Sequence, residues 1–212
     1  MQWIVIIFGA NQEEVINMKE FVFDGNDRCL NFINTEMYEG AHRIELLEDF
    51  TDIVDWLKAS GIVGSETADE ILIDKNINQQ KVFKHVISFR SNLKNMVKEL
   101  ARGKLPGESG IKAINQILKT NKVYSQLHNQ NDRIELVTVP VKQSHDPLRL
   151  IAESAVELLT QKDLALVKKC NDSVCTLLFY DESKNHSRRW CSMNRCGNRA
   201  KASIHYRRKK EK

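Results

Sequence analysis

The apolar positions change their period several times along the chain. Phe21-Val22-Phe23-Asp24-Gly25 predicts the start of an ordered strand, and Leu30 and Phe32 alternate with polar neighbours over 28–35, predicting a second strand that runs into a loop. From about His42 the spacing turns helical through Leu46, Phe50, Ile53, Val54 and Leu57, until Ser60-Gly61 stops it. A longer amphipathic helix carries Val82, Val86, Phe89, Leu93, Met96, Val97 and Leu100 and ends at Gly103. The loop over 103–107 separates it from a shorter helix through Ile114, Ile117 and Leu118. Alternation returns over 133–141, and this strand is expected to pair with 124–128 across Asn129-Gln130-Asn131-Asp132. Asp146-Pro147 then offers an N-cap and a first-turn proline to a helix bearing Leu148, Ile151, Ala152, Ala155 and Leu159. No internal repeat or low-complexity tract interrupts the pattern.

After Thr160 the texture shifts to short segments, cysteines and positive charge, so three regions are expected: an N-terminal extension at 1–17, a mainly helical domain at 18–160 and a small domain at 161–212. Residues 1–17 read as an added edge strand, a loose arm or an upstream start, since Met18 lies just before Phe21. The fold class is α+β, with a small β-sheet in the helical domain and a β-hairpin plus helix in the C-terminal one. With 212 residues, 42% hydrophobic and 28% charged, the chain can bury a full-sized core and is not expected to be disordered. The apolar start over 3–8 is too short to span a bilayer and follows no basic stretch. A cytoplasmic protein with no membrane partner is therefore expected.

Charge sharpens this picture. The net value is only +4, yet 184–212 holds eleven Lys or Arg against Glu211 alone, a local +10 that leaves −6 for 1–183. Such a tail seeks a polyanion that the body repels.

Four of the five cysteines also lie at this end, as Cys170-x4-Cys175 and Cys191-x4-Cys196 with fifteen residues between the pairs. Two close pairs separated by a short excursion suit a tetrahedral zinc site in which each pair supplies two thiolates from one turn. The excursion reads as a hairpin, with a strand over 176–180 and a turn over 181–185. Competing readings are two disulfides, which a cytosolic setting disfavours, four buried thiols, and an iron–sulfur cluster. His186 and His205 are spare donors beside a shell that four cysteines already complete. Cys29, between apolar neighbours, reads as a buried small residue.

After the Cys170-x4-Cys175 pair come Leu178-Phe179-Tyr180-Asp181, then Ser187-Arg188-Arg189-Trp190-Cys191-Ser192-Met193, then Cys196-Gly197-Asn198-Arg199-Ala200-Lys201. With these motifs the stretch from Cys170 to Lys210 resembles the CGNR zinc finger. The body, opening with Cys29-Leu30-Asn31-Phe32-Ile33-Asn34-Thr35, is similar to the ABATE domain that accompanies this finger in stress-induced bacterial transcription regulators, although Asn31 stands where that family more often has Asp. The resemblance implies one Zn2+ per chain on Cys170, Cys175, Cys191 and Cys196, with DNA binding at the finger and ligand sensing or assembly by the body.

Beside the resemblance, the residues themselves assign roles. Gly197 lets the backbone approach the metal, and Asn198 is expected to cap a helix starting near Arg199. On that helix Ala200 and Ile204 are expected to pack on the finger, and the cations to contact phosphate. The nucleic-acid candidates are Arg188, Arg189, Arg195, Arg199, Lys201, Arg207, Arg208, Lys209 and Lys210, of which Arg188, Arg189 or Arg195 could instead serve the thiolates. Trp190 and Met193 are expected to shield the metal site. A small acid or related metabolite is expected to bind near Asn34, Thr35 and Arg90. RNA is the alternative partner, because phosphate attraction does not separate the two nucleic acids, and a protein-interaction or redox-sensing module is the third reading. No enzyme is expected: the GxGxxG, GxxxxGK[ST] and HExxH patterns are absent, and four thiolates leave zinc no open position. The oligomeric state is left open.

Overall fold

The computed structural model describes residues 20–120, 123–130, 133–140 and 148–210. The expected extension at 1–17, the turn residues Asn131 and Asp132 and the cap Asp146-Pro147 lie outside the described residues.

The expected strand at 21–25 does not form: 21–23 is irregular and the chain turns at Asp24-Gly25. Gly25 is needed there, since a Cβ would come within 2.7 Å of Asn31 Oδ1, the atom to which the Gly25 N–H donates. The second expected strand is helix α1, Arg28–Ile33. Asp27 caps it by accepting from the Leu30 N–H, and Cys29, Leu30, Phe32 and Ile33 are all buried. These positions follow i, i+1, i+3, i+4 along one helical face, which an alternation counted on Leu30 and Phe32 alone overlooks.

Strands β1 (Glu36–Glu39) and β2 (His42–Glu45) form an antiparallel hairpin turned at Gly40, whose φ is +64°. They occupy the start of the helix expected from about His42. Helix α2 begins only at Phe50 and runs to Ala59, because Asp49 and Asp52 form a capping box there. Helix α3, Ser65–Ile73, has no counterpart in the expectation; its apolar stripe, Ala68, Ile71 and Leu72, spans little more than one turn. Helices α4 (Gln79–Leu100), α5 (Glu108–Thr120) and α6 (Leu148–Gln161) match the periodic segments, and Gly103 at φ +74° closes α4. Strands β3 (Val123–Gln130) and β4 (Arg133–Pro140) form the expected hairpin.

The main core gathers α1, α2, α4, α5 and α6 around residues such as Phe32, Trp56, Phe89, Ile117 and Ile151. Each fully buried side chain of this size contributes about 1.5–3 kcal/mol. Strands β5 (Val167–Lys169) and β6 (Leu178–Tyr180) pair antiparallel beside it. The hairpin thus encloses Cys170 and Cys175, so β6 pairs backward and 181–185 is no hairpin turn. Strand β6 faces two ways: Leu178 and Tyr180 pack on the main core, whereas Phe179 belongs to a second core with Leu177, Met37 and the four cysteines. Ile44 and Leu46 pack against that second core, so the β1–β2 side of the body helps to fill it. Helix α7, Asn198–Lys210, follows a five-residue π-turn, Met193–Gly197. Among the described residues no helix is long and apolar enough to cross a membrane.

Candidate metal centre and the basic helix beyond it

Two tight segments deliver the thiols. The first is the loop inside the β5–β6 hairpin, where the Cys170 N–H donates to the Leu177 carbonyl and the Cys175 N–H to the Asp172 carbonyl. The second is the π-turn, which carries Cys196 close to Cys191. All four Sγ atoms lie within 4.8 Å of one another, and all four residues are buried.

The donor set fits zinc. Cys191 Sγ is 3.5 Å from Cys196 Sγ and 3.9 Å from Cys175 Sγ. Both separations are far beyond the ~2.05 Å of a disulfide. They are close to the ~3.8 Å edge of a tetrahedron with ~2.3 Å zinc–sulfur bonds. Ionising all four thiols at this spacing needs a cation. Hydrogen bonds from Cys175 and Cys191 pull Cys170 down, while Cys175, which keeps its proton in donating to Cys170, is pushed up to about 12. Cys191 is raised by the same hydrogen bonding and Cys196 chiefly by burial. One thiolate is tolerated among neutral neighbours; four require a divalent ion at the centre. The cluster fits one zinc ion per chain, which Cys170, Cys175, Cys191 and Cys196 would hold.

Several of the cations predicted for nucleic acid support this centre. The Arg188 guanidinium lies 4.3 Å from the Phe179 ring centroid, and it donates to the carbonyls of Trp190 (3.0 Å), Asp24 (2.7 Å) and Cys191. Arg195 pairs with the Asp24 carboxylate at 2.6 Å. Arg199 donates to Cys196 Sγ at 3.4 Å and to Asp172 at 2.7 Å, and also pairs with Glu39 of β1. Thus one of these arginines reaches a ligand sulfur, and it is Arg199, not Arg188, Arg189 or Arg195. Arg189 is exposed, 5.2 Å from the Trp190 ring centroid. Lys201, Arg207, Arg208, Lys209 and Lys210 are exposed along α7, and among the described residues none has an acidic partner.

Helix α7 departs from expectation in two details. Asn198 has helical backbone angles and continues the π-turn, so it does not cap; Ser192 precedes the turn in extended geometry. Ile204 and Tyr206 are 48% and 61% exposed, so no face of the helix packs down over its length. Gly197 is held close by Met193, whose Sδ would lie 2.7 Å from an added Cβ. Trp190 packs against the cysteine core as expected, while Met193 stays 48% exposed.

The expected effector residues are occupied internally. Asn34 donates to the Leu178 carbonyl at 2.7 Å and accepts from the Leu178 N–H at 3.0 Å, pinning β6 to α1. Thr35 donates to the Phe32 carbonyl and accepts from Arg90, which grips Glu45 through both terminal nitrogens at 2.6 Å. The structure does bring Thr35 and Arg90 together, but their polar groups are used to hold β2 on α4. None of the three lines a described cavity.

Periodicity does not single out Asp181, which is fully buried and accepts from Lys168 at 2.6 Å, from both the N–H and hydroxyl of Ser183, and from the Arg188 N–H. Burial opposes its charge, but Lys168 and these donors hold its carboxyl well below the usual range. It fixes the loop leading to Cys191. Its only sequence signal is its place at the end of the aromatic strand.

Comparison with known families agrees with this geometry. The CGNR zinc finger model matches residues 167–209, and the ABATE model, described as "Putative stress-induced transcription regulator", matches residues 26–162. No curated protein matches the chain. With the larger match spanning well over half of its length and the finger following in order, the chain belongs to the ABATE family and carries a CGNR zinc finger.

Proposed function

We propose that the protein is a zinc-dependent DNA-binding transcription regulator of the cytoplasm, in which the finger grips DNA and the body senses a small-molecule effector. The observation that carries this reading is helix α7: thirteen residues, none acidic and none buried, projecting from a metal-fixed turn. Arg199 and the π-turn set its direction, leaving Lys201 and Arg207 to Lys210 for phosphate. Arg189, exposed beside Trp190, is a further cation of the finger available to phosphate. Zinc is assigned a structural role, because four thiolates fill a tetrahedral shell and leave no position for a substrate.

The test is affinity for duplex DNA as a function of salt, using the full zinc-loaded chain. About five phosphate contacts predict a slope of about −4 to −5 in log K against log salt. Replacing Lys201, Arg207 and Arg208 with Gln is expected to flatten the slope by about 0.9 for each phosphate no longer neutralised. Affinity that ignores salt, or that survives these changes, defeats the proposal. Tighter binding to RNA of equal length moves the assignment to RNA.

A further inference from the structure

An apolar cavity of about 480 Å³ opens between α2, α3, α4 and the start of α6. Phe50, Val54, Leu57, Ile71 and Val86 form its walls. The volume lies within the range of ~300–1,000 Å³ that small-molecule sites occupy. Its polar lining is Thr67, Glu70, Asp74 and His85, with no Lys or Arg among the lining residues. Glu70 and Asp74 stand one turn apart at the C-terminal end of α3, where the last turn carries no basic side chain. The carbonyl end of a helix is itself negative, so the backbone adds to the carboxylates instead of offsetting them. The site is therefore apolar within and anionic at its edge.

That combination selects against the small acid expected from the sequence and for a cation with a bulky apolar body. We propose that this cavity binds a small lipophilic cation, such as a quaternary ammonium or phosphonium, with its apolar groups against Val54 and Val86 and its charge at Glu70 and Asp74. The proposal names the effector class for the sensing body, and it rests on that reading only for its consequence at DNA. A route to the finger is built into α4. Val82, His85 and Val86 line the cavity, and one to two turns further on Arg90 and Lys94 hold Glu45 and Glu36 of the β1–β2 hairpin. The same hairpin supplies Glu39 to Arg199 beside the metal centre.

Tetraphenylphosphonium and tetraphenylborate have the same shape and opposite charge, which makes them a direct probe. Each is titrated into the full zinc-loaded protein while the methyl resonances of Val54, Ile71 and Val86 are followed, so that anion bound to the basic tail is not counted. The phosphonium is expected to shift these methyls saturably, and the borate to bind there at least tenfold more weakly. Both carboxylates are exposed, so Glu70→Gln with Asp74→Asn is expected to keep the fold and weaken phosphonium binding about tenfold. Equal binding of the two ions, or unchanged phosphonium affinity in the double variant, overturns the proposal. DNA affinity is measured on the same sample with and without saturating phosphonium, and at least a threefold change is expected. If DNA affinity does not respond, the sensing role of the body falls while the cation site stands on the titration.

Discussion

Asn34 shows how much one buried amide can hold. Its two hydrogen bonds go to the N–H and the carbonyl of Leu178, joining α1 to the strand that leads out of the metal-binding loop. Asn34→Ala would leave both groups of Leu178 unpaired in the interior, and a loss of about 2–4 kcal/mol in urea-measured stability is expected. Asn34→Asp removes the donor and is expected to cost a similar amount, whereas a residue that served only an effector would leave stability unchanged. A polar residue beside Cys29-Leu30 is visible in the sequence, but its partner is 144 positions away, and no local pattern reports such a pairing. The same distance in sequence hides the engagement of Arg188 and Arg195 with Asp24, which local charge counting assigns to nucleic acid.

At the scale of elements, the hairpin β1–β2 is tied to α4 by charge. Arg90 and Lys94 on one face of the helix meet Glu45 and Glu36, and Arg43 joins both carboxylates. Burial alone would raise Glu36, but hydrogen bonding and attraction from Lys94, helped by Arg43, pull it down to about 2. A carboxyl depressed on folding stabilises the native state above its unfolded pKa of about 4.3. That contribution is lost as pH falls through the folded value. Stability is therefore expected to drop between about pH 4.5 and 2, and Glu36→Gln is expected to remove this part of the acid sensitivity in urea titrations at successive pH values.

The long helices were legible because their apolar stripes repeat over several turns, and the cysteine pairs because ligand spacing is local. Helix α1 was not, since six residues give too little length to separate period two from period 3.6. Helix α3 escapes the pattern because its stripe of Ala68, Ile71 and Leu72 is only about one turn long, and β1–β2 because its partners come from α4 and the finger. Strand β6 offers a direct check of its two faces. Leu178→Ala and Phe179→Ala empty different cores, and each is expected to cost about 2–5 kcal/mol. Zinc release and loss of helical circular dichroism are expected to coincide in urea for both variants, and separate transitions would show that the cores unfold independently.

Across the whole molecule, an acidic body carries a cationic end whose direction is set by a metal. The −6 of residues 1–183 repels a polyanion and the +10 of the remainder attracts one, so such a field would turn the molecule finger-first toward it. Removing the metal should reach beyond the finger, because Met37, Ile44 and Leu46 of the body share its core. Chelation, or Cys196→Ser, is expected to lower the thermal midpoint of the entire chain by at least about 5 °C, read by helical circular dichroism. An unchanged midpoint for the body would mean that its core closes without the metal.

The shared strand also bears on how such proteins can be recombined. A segment cut at residue 167 would carry Leu178 and Tyr180 away from their packing partners and leave Phe179 and the cysteines without Met37 and Ile44. The finger is therefore not a cassette that can be moved between hosts at its sequence boundary. A chimera that exchanges it must also exchange, or match, the β1–β2 hairpin and Asn34, so body and finger are constrained to change as a pair.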